Sequence, residues 1–314
     1  MTLPTTPGTP ARPSPSGEQW VIGHGSQRAV VTEVGGTLRS YAAAGRAVID
    51  GFGADDWCHD GRGQVLAPWP NRLADGQYTF GGVSAQAPLD EPAHHNAIHG
   101  LVRWLPWRRV SQAQNRVTVA CTLHPTPGYP WMLELEVDYH LGRDGLTVTA
   151  AATNPGTAPV PFGVGFHPYL HVPGGDADTA RLTVPADRRL ATDGRGLPVA
   201  EHSVAGTELD FFTGRPLTGI RLDTCFTGLR RGADGRSEVR LGDAAGEAGE
   251  VVLWADERFP YVMVFTGDTL GPDRARRSVA VEPMTCPPDA LRSGKDLVVL
   301  APSARWSGAW GIRP

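Results

Sequence analysis

Glycine and proline, 39 and 28 of them, interrupt nearly every stretch of this 314-residue chain that is long enough to hold a regular helix. Proline removes a backbone donor and glycine costs helix stability, so no window keeps an unbroken 3.6-residue apolar period. What survives between the interruptions is short and alternating. In LELEVDY, Leu133, Leu135, Val137 and Tyr139 share one face while Glu134, Glu136 and Asp138 occupy the other, the period of a half-buried strand. An Asp144-Gly145 pair then turns the chain into a second alternating run, which reads as a hairpin. Further strand candidates are QRAVVTEV, RAVIDGF, QNRVTVACTL, ARLTVPA, SEVRLGD, EVVLWAD, YVMVFTG, RSVAVE and DLVVLAP. The expectation is an all-β fold of many antiparallel strands packed as a large β-sandwich.

No fixed-period repeat and no shift of composition marks a linker, so residues 18–314 are expected to form a single domain. Residues 1–17 are mostly Pro, Ser, Thr and Gly and are read as a disordered tail. The net charge is −4, with Lys and Arg scattered, which excludes the basic stripe that nucleic-acid binding needs. With no leader pattern and no run of 18 apolar residues, no membrane partner is expected. Cys58, Cys121, Cys225 and Cys286 are far apart and form no Cys-x-x-Cys, which points to free thiols in a reducing, cytoplasmic compartment.

Four stretches combine turn chemistry with polar groups. In APWPNRLADGQYTFGG (67–82), Asn71-Arg72 follows two prolines that bracket Trp69; Arg72 offers a rigid fork of donors, or is an ordinary loop arginine. In HHNAIHG (94–100), His95 and His99 have the spacing of a helical metal pair, but Pro92 and Gly100 leave no room for the helix and no carboxylate completes the set. His99 is then either a functional ring or a satisfied loop histidine. In PFGVGFHPYLH (161–171), His167 precedes a proline on a stiff backbone and fits an acid or base, or a core histidine bonded to a carbonyl; His171 is the weaker candidate. In SVAVEPMTCPPDAL (278–291), alternation sets Val279 and Val281 against Ala280 and Glu282, with Pro283 expected to end the strand. Glu282 is placed as a general base, or as a solvated edge-strand carboxylate. Asp223, in GIRLDTCF, can bond a ligand hydroxyl or start a turn. Trp69, Trp104 and Trp107 offer stacking surfaces or core packing.

In this order the segments WVIGHGSQRAVVTEVGGTLRSY, PNRLADGQYTFGG, NAIHGLVRW, DYHLGRDGLTVTAAATNPGTAPVPFGVGFHPYL, GTELDFF, LDTCF and VEPMTCPPDAL resemble the aldose 1-epimerase (galactose mutarotase-like) family over nearly the whole chain. The resemblance implies a large antiparallel sandwich with a sugar on its concave face. It implies Glu282 as catalytic base, His167 as catalytic acid, and Arg72, His99 and Asp223 as sugar contacts, with Asn71 supporting the arginine loop. The implied reaction interconverts the α- and β-anomers of an aldohexose such as glucose or galactose by opening and reclosing the ring. That chemistry passes through no hydride, carbanion or phosphoryl step, so no cofactor and no metal are expected. Two rival readings stand beside it: a non-catalytic sugar-binding protein on the same fold, and a hexose-6-phosphate 1-epimerase that draws its cations from Arg103, Arg108 and Arg109.

Overall fold

The computed structural model describes residues 14–172, 175–244, 246 and 249–314. Most of the tail anticipated over 1–17 therefore lies outside the described residues. Its last part is held against the fold: Ser16 is buried, its hydroxyl donates to the Asp56 carbonyl at 2.9 Å, and its own carbonyl accepts from the Val34 N–H at 3.0 Å.

Two large antiparallel sheets dominate. The nine-stranded sheet is built around Leu133–Gly142 and Gly145–Thr153, flanked by Arg116–Leu123 on one side and Arg305–Arg313 and Glu250–Ala255 on the other. Gly142 pairs with Gly145, so the hairpin turns on Arg143 and Asp144 rather than on Asp144 and Gly145. The eight-stranded sheet carries Asp223–Leu229, Tyr261–Phe265 and Ser278–Met284 as neighbours, with Gly165–Phe166 and Tyr169–His171 pairing along the last of these. A four-stranded N-terminal sheet, beginning at Gln19–His24, completes the main frame. Among the described residues the sole α-helix is the single turn Ala290–Ser293, and no helix is long and apolar enough to cross a membrane.

The sheets close on one another through aromatic side chains. Phe166 of the eight-stranded sheet meets Trp310 of the nine-stranded sheet at a ring distance of 5.0 Å, and Phe162 meets Trp306 at 5.5 Å. One continuous apolar core runs through both sheets and the N-terminal sheet. Fully burying side chains of this size stabilises a fold by about 1.5–3 kcal/mol each.

Sheet parity decides what happens at Glu282. Val279 and Val281 point into the main core, as the alternation predicts, so Ala280, Glu282 and Met284 occupy the opposite face. There Met284 joins Met263 and Cys225 in a small separate apolar cluster. Pro283 does not end the strand, which runs on to Met284 with Pro283 paired to Val262. RAVIDGF also departs from its strand reading. Only Arg46–Ala47 is strand, because Asp50 leaves the ladder to receive Arg62, Arg277 and the Ser278 hydroxyl.

Candidate active site

The register of the eight-stranded sheet brings the acid and base candidates together. Gly165 pairs with Met284 and Tyr169 with Ala280, and the residue midway between the two pairs on each strand is His167 on one and Glu282 on the other. His167 Nε2 lies 3.3 Å from Glu282 Oε1, and the residues are 5% and 2% exposed. Glu282 is therefore an interior residue, not a solvated edge carboxylate. Its Oε2 and the Nδ1 of His167 have no hydrogen-bond partner among the described residues. A buried polar atom left in that state costs about 1–3 kcal/mol, and more for a carboxylate than for the core indole N–H groups of Trp20, Trp69 and Trp310 that share it.

Arg72 and His99 arrive on a second, smaller ribbon. Arg72–Ala74 pairs with Asn96–Ile98, Arg72 opposite Ile98, so the residue after the ribbon, His99, sits beside the arginine loop. Asn71 and His99 lock each other: the His99 N–H donates to the Asn71 carbonyl at 2.9 Å, and the Asn71 N–H donates to His99 Nδ1 at 3.2 Å. With Nδ1 accepting, neutral His99 carries its proton on Nε2 and presents a donor. The ring lies edge-on to His167 at 5.2 Å. Glycine is required next in the chain, because Gly100 has φ +70° and a β-carbon there would fall 2.1 Å from the Ala67 carbonyl oxygen. Asn71 Oδ1 accepts from the Arg72 N–H at 2.9 Å, which fixes the arginine loop.

The Arg72 guanidinium is held by Glu91, with Nε 3.0 Å from Oε2 and Nη2 3.0 Å from Oε1, and reaches Asp223 Oδ2 through Nη1 at 3.3 Å. Asp223 opens its strand and is half-exposed, so the Arg72–Asp223 pair forms a polar rim. All six sequence-derived candidates, Asn71, Arg72, His99, His167, Asp223 and Glu282, thus belong to one connected group. His95 does not: it turns away to Asp75, 2.8 Å distant on the surface. His171 spends its Nδ1 on the Val172 carbonyl at 2.9 Å. The arginines raised as a phosphate site do not converge. Arg103 is bound to Asp90, whereas Arg108 and Arg109 begin the exposed edge strand Arg108–Ala113, where Arg109 faces Glu18 and Gln112.

Sequence reasoning missed four supporting residues. Glu91 orients Arg72 and accepts from the Asn96 amide. Tyr169 stacks on the His167 ring at 4.9 Å and 15°, and the buried Arg62 lies over the Tyr169 ring at 4.1 Å, held by Asp50 and Asp60. Gly61 completes this packing, since a β-carbon on it would stand 2.9 Å from His167 Cδ2, and its φ is +74°. Gly61→Ala is expected to displace the ring and cut turnover by about 10²-fold, the scale of a 1 Å misplacement of a reacting group. Measured kcat alongside thermal unfolding checks this; unchanged kcat in a folded variant would contradict it.

Burial dominates the electrostatics. It pushes the Glu282 carboxyl well above the usual carboxylate range; the Asp223 charge adds to the rise and Arg72 opposes it. It pulls His167 down to about 3, with the Arg62 and Arg103 charges contributing, and holds His99 well below the usual histidine range. Glu282 and His167 are in contact, so between these limits the pair carries one proton, whether on carboxyl or imidazole. One ligand atom from each of His99, His167 and Glu282 also falls within 4.8 Å of the others, a donor set with the composition of a metal site.

This fold, with its polar site on the face of the sheet turned from the main core, is that of the galactose mutarotase-like β-sandwiches. The family model for aldose 1-epimerase matches residues 18–313, and the chain belongs to that family. It is 33% identical to the Escherichia coli K12 protein called uncharacterized protein YihR over 286 residues, 91% of this chain and 89% of the relative. Among solved structures it resembles the GalM/aldose epimerase homologue from C. elegans (TM-score 0.83, 18% identity, 94% and 98% of the two chains). It also resembles galactose 1-epimerase from Lactobacillus acidophilus NCFM (TM-score 0.78, 19% identity, 94% and 93%).

Proposed function

We propose that residues 18–314 act as one catalytic unit that interconverts the α- and β-anomers of an aldohexose such as glucose or galactose. Glu282 takes the proton from the C1 hydroxyl while His167 delivers one to the ring oxygen. The ring opens to the free aldehyde, C1 rotates, and reclosure gives the other anomer. Arg72, His99 and Asp223 hold the sugar oxygens, and Asn71 keeps the arginine loop in place. The four free, buried cysteines support a reducing, cytoplasmic setting.

One observation carries this reading: a buried carboxylate oxygen, Glu282 Oε2, without a partner beside a histidine 3.3 Å from its other oxygen. An ordinary carboxylate is a weak base for an alcohol, so proton removal has to be matched by simultaneous donation. A contacting pair that shares one proton supplies both steps and ends with its proton count unchanged. A protein that only binds sugar gains nothing from such a pair, which weakens the binding-protein alternative.

Polarimetry of freshly dissolved α-D-glucose and α-D-galactose tests the proposal, with the spontaneous rate subtracted. Acceleration of at least one sugar is expected, and acceleration of neither by folded protein would contradict it. Dialysis against a chelator is expected to leave the rate unchanged, because the proton transfers need no Lewis acid. Loss of activity restored by zinc would instead favour the metal reading of His99, His167 and Glu282.

The pH dependence follows from the two shifts. Below about 3 both groups hold protons and no base remains. Above the raised value of Glu282 both have lost them and no acid remains. The profile of kcat/KM is therefore expected to be bell-shaped, with its acid limb near 3 and its alkaline limb well above the usual carboxylate range. An acid limb centred near the ordinary histidine value of about 6.5 would contradict the shared-proton pair.

A further inference from the structure

Of the tryptophans singled out as stacking surfaces, Trp69 and Trp107 are buried in the core. Trp104 is not: it is 47% exposed and meets a second exposed tryptophan, Trp57 (54%), at a ring distance of 5.8 Å and 41° between planes. Two side chains that carry this much apolar area, brought together from separate loops and left in water, form a surface shaped for something.

Their neighbours tie them to the site. Trp57 leads directly into the turn in which the Cys58 thiol donates to the Arg62 carbonyl at 3.3 Å and Gly61 lies against the His167 ring. Trp104 packs on the Arg103 guanidinium at 5.4 Å. Arg103 itself is mostly buried and lies near enough for its charge to act on both His99 and His167. Each tryptophan thus adjoins in the chain a segment that bears on the two histidines, Trp57 the turn that carries Gly61 and Trp104 the residue Arg103. The His59 ring meets Trp57 at 4.3 Å and adds a polar group at the edge of the platform.

A protein partner would find little further exposed apolar surface on these two loops. The other exposed large apolar residues, among them Val21, Val83, Met132 and Val199, lie on neither loop, and a stable protein interface buries at least about 1,000 Å². Aromatic faces edged by polar groups instead match a pyranose ring, which offers a C–H face to the rings and hydroxyls to the rim. We propose that Trp57 and Trp104 form a second carbohydrate subsite that receives the next ring of a reducing disaccharide whose terminal aldose occupies the pocket of Glu282 and His167. This rests on the activity proposed above.

The test measures anomerisation of fresh α-lactose and β-maltose beside α-D-glucose and α-D-galactose, in the wild type, Trp57→Ala and Trp104→Ala. The wild type is expected to show a lower KM for a disaccharide than for the monosaccharides. Each variant is expected to raise that KM about tenfold, the order of one lost aromatic stack, with monosaccharide kinetics little changed. Equal KM values for both sugar classes in the wild type, or equal losses on both in the variants, would overturn the subsite while leaving the activity intact. Altered size-exclusion behaviour of the variants with unchanged disaccharide kinetics would assign the pair to a contact between copies and overturn it as well. Acceleration of no aldose at all would remove the activity, and the subsite with it.

Discussion

Glu282→Gln lowers kcat by about 10²–10⁴-fold, the usual worth of one positioned proton-transfer group. The substitution keeps the size and shape of the side chain on the strand Ser278–Met284, so the sheet register and the pocket persist. What disappears is the ability of Oε2 to take a proton. Thermal stability is expected to hold or rise, because an amide has no charged form to desolvate in a site this buried. Sugar affinity, which the proposal assigns to Arg72, His99 and Asp223, should change much less than kcat. The check is polarimetric turnover together with calorimetric binding of the same sugar. Near wild-type turnover by a folded Glu282→Gln protein would remove Glu282 as the base.

His167→Asn is the second large effect, again about 10²–10⁴-fold in kcat. Asparagine still fits between Tyr169 and Gly61 but cannot deliver a proton to the ring oxygen. If the two residues act as one proton-sharing unit, the double variant Glu282→Gln/His167→Asn should be little worse than either single variant. The single His167→Asn protein should also lose the alkaline limb of the pH profile, because Glu282 is then the one titrating group of the pair and activity rises as it gives up its proton. Losses that multiply in the double variant, or an alkaline limb that survives in His167→Asn, would show that the two groups act independently.

The alternation of LELEVDY and SVAVE was legible because a half-buried strand needs two faces of different polarity, and the observed parity at Val279, Val281 and Glu282 follows it. In the strand Arg305–Arg313, at the centre of the nine-stranded sheet, Gly308 and Gly311 weaken that signal and leave Trp306, Trp310 and Ile312 to mark its buried face. Its Gly311 has a structural cause that only the tertiary fold reveals: a β-carbon there would stand 2.6 Å from the Trp254 ring packed over it. The edge strand Arg108–Ala113 is exposed along its whole length and so has no apolar face to read.

The same division holds at the site. The residues proposed to meet the sugar stood out by type and by the turns around them, and the family resemblance supplied their order. Glu91, Tyr169, Arg62 and Gly61 act through other side chains, Glu91 on Arg72 and the rest on His167. Nothing local distinguishes such a glutamate or glycine from its neighbours, since its importance arises only when distant segments meet. Trp57 was missed for the same reason, because its partner Trp104 lies on a different loop.

Exchange NMR on an equilibrated mixture of D-glucose or D-galactose anomers tests the central claim most directly. It reads ring opening and reclosure without any net reaction, so transfer of magnetisation between the two anomeric protons reports catalysis alone. Chelator-treated wild-type protein is expected to produce strong exchange cross-peaks, and Glu282→Gln at the same concentration to leave them at the spontaneous level. Equal cross-peaks with both proteins, or none above the spontaneous level with the wild type, would contradict an anomerase built on the Glu282–His167 pair.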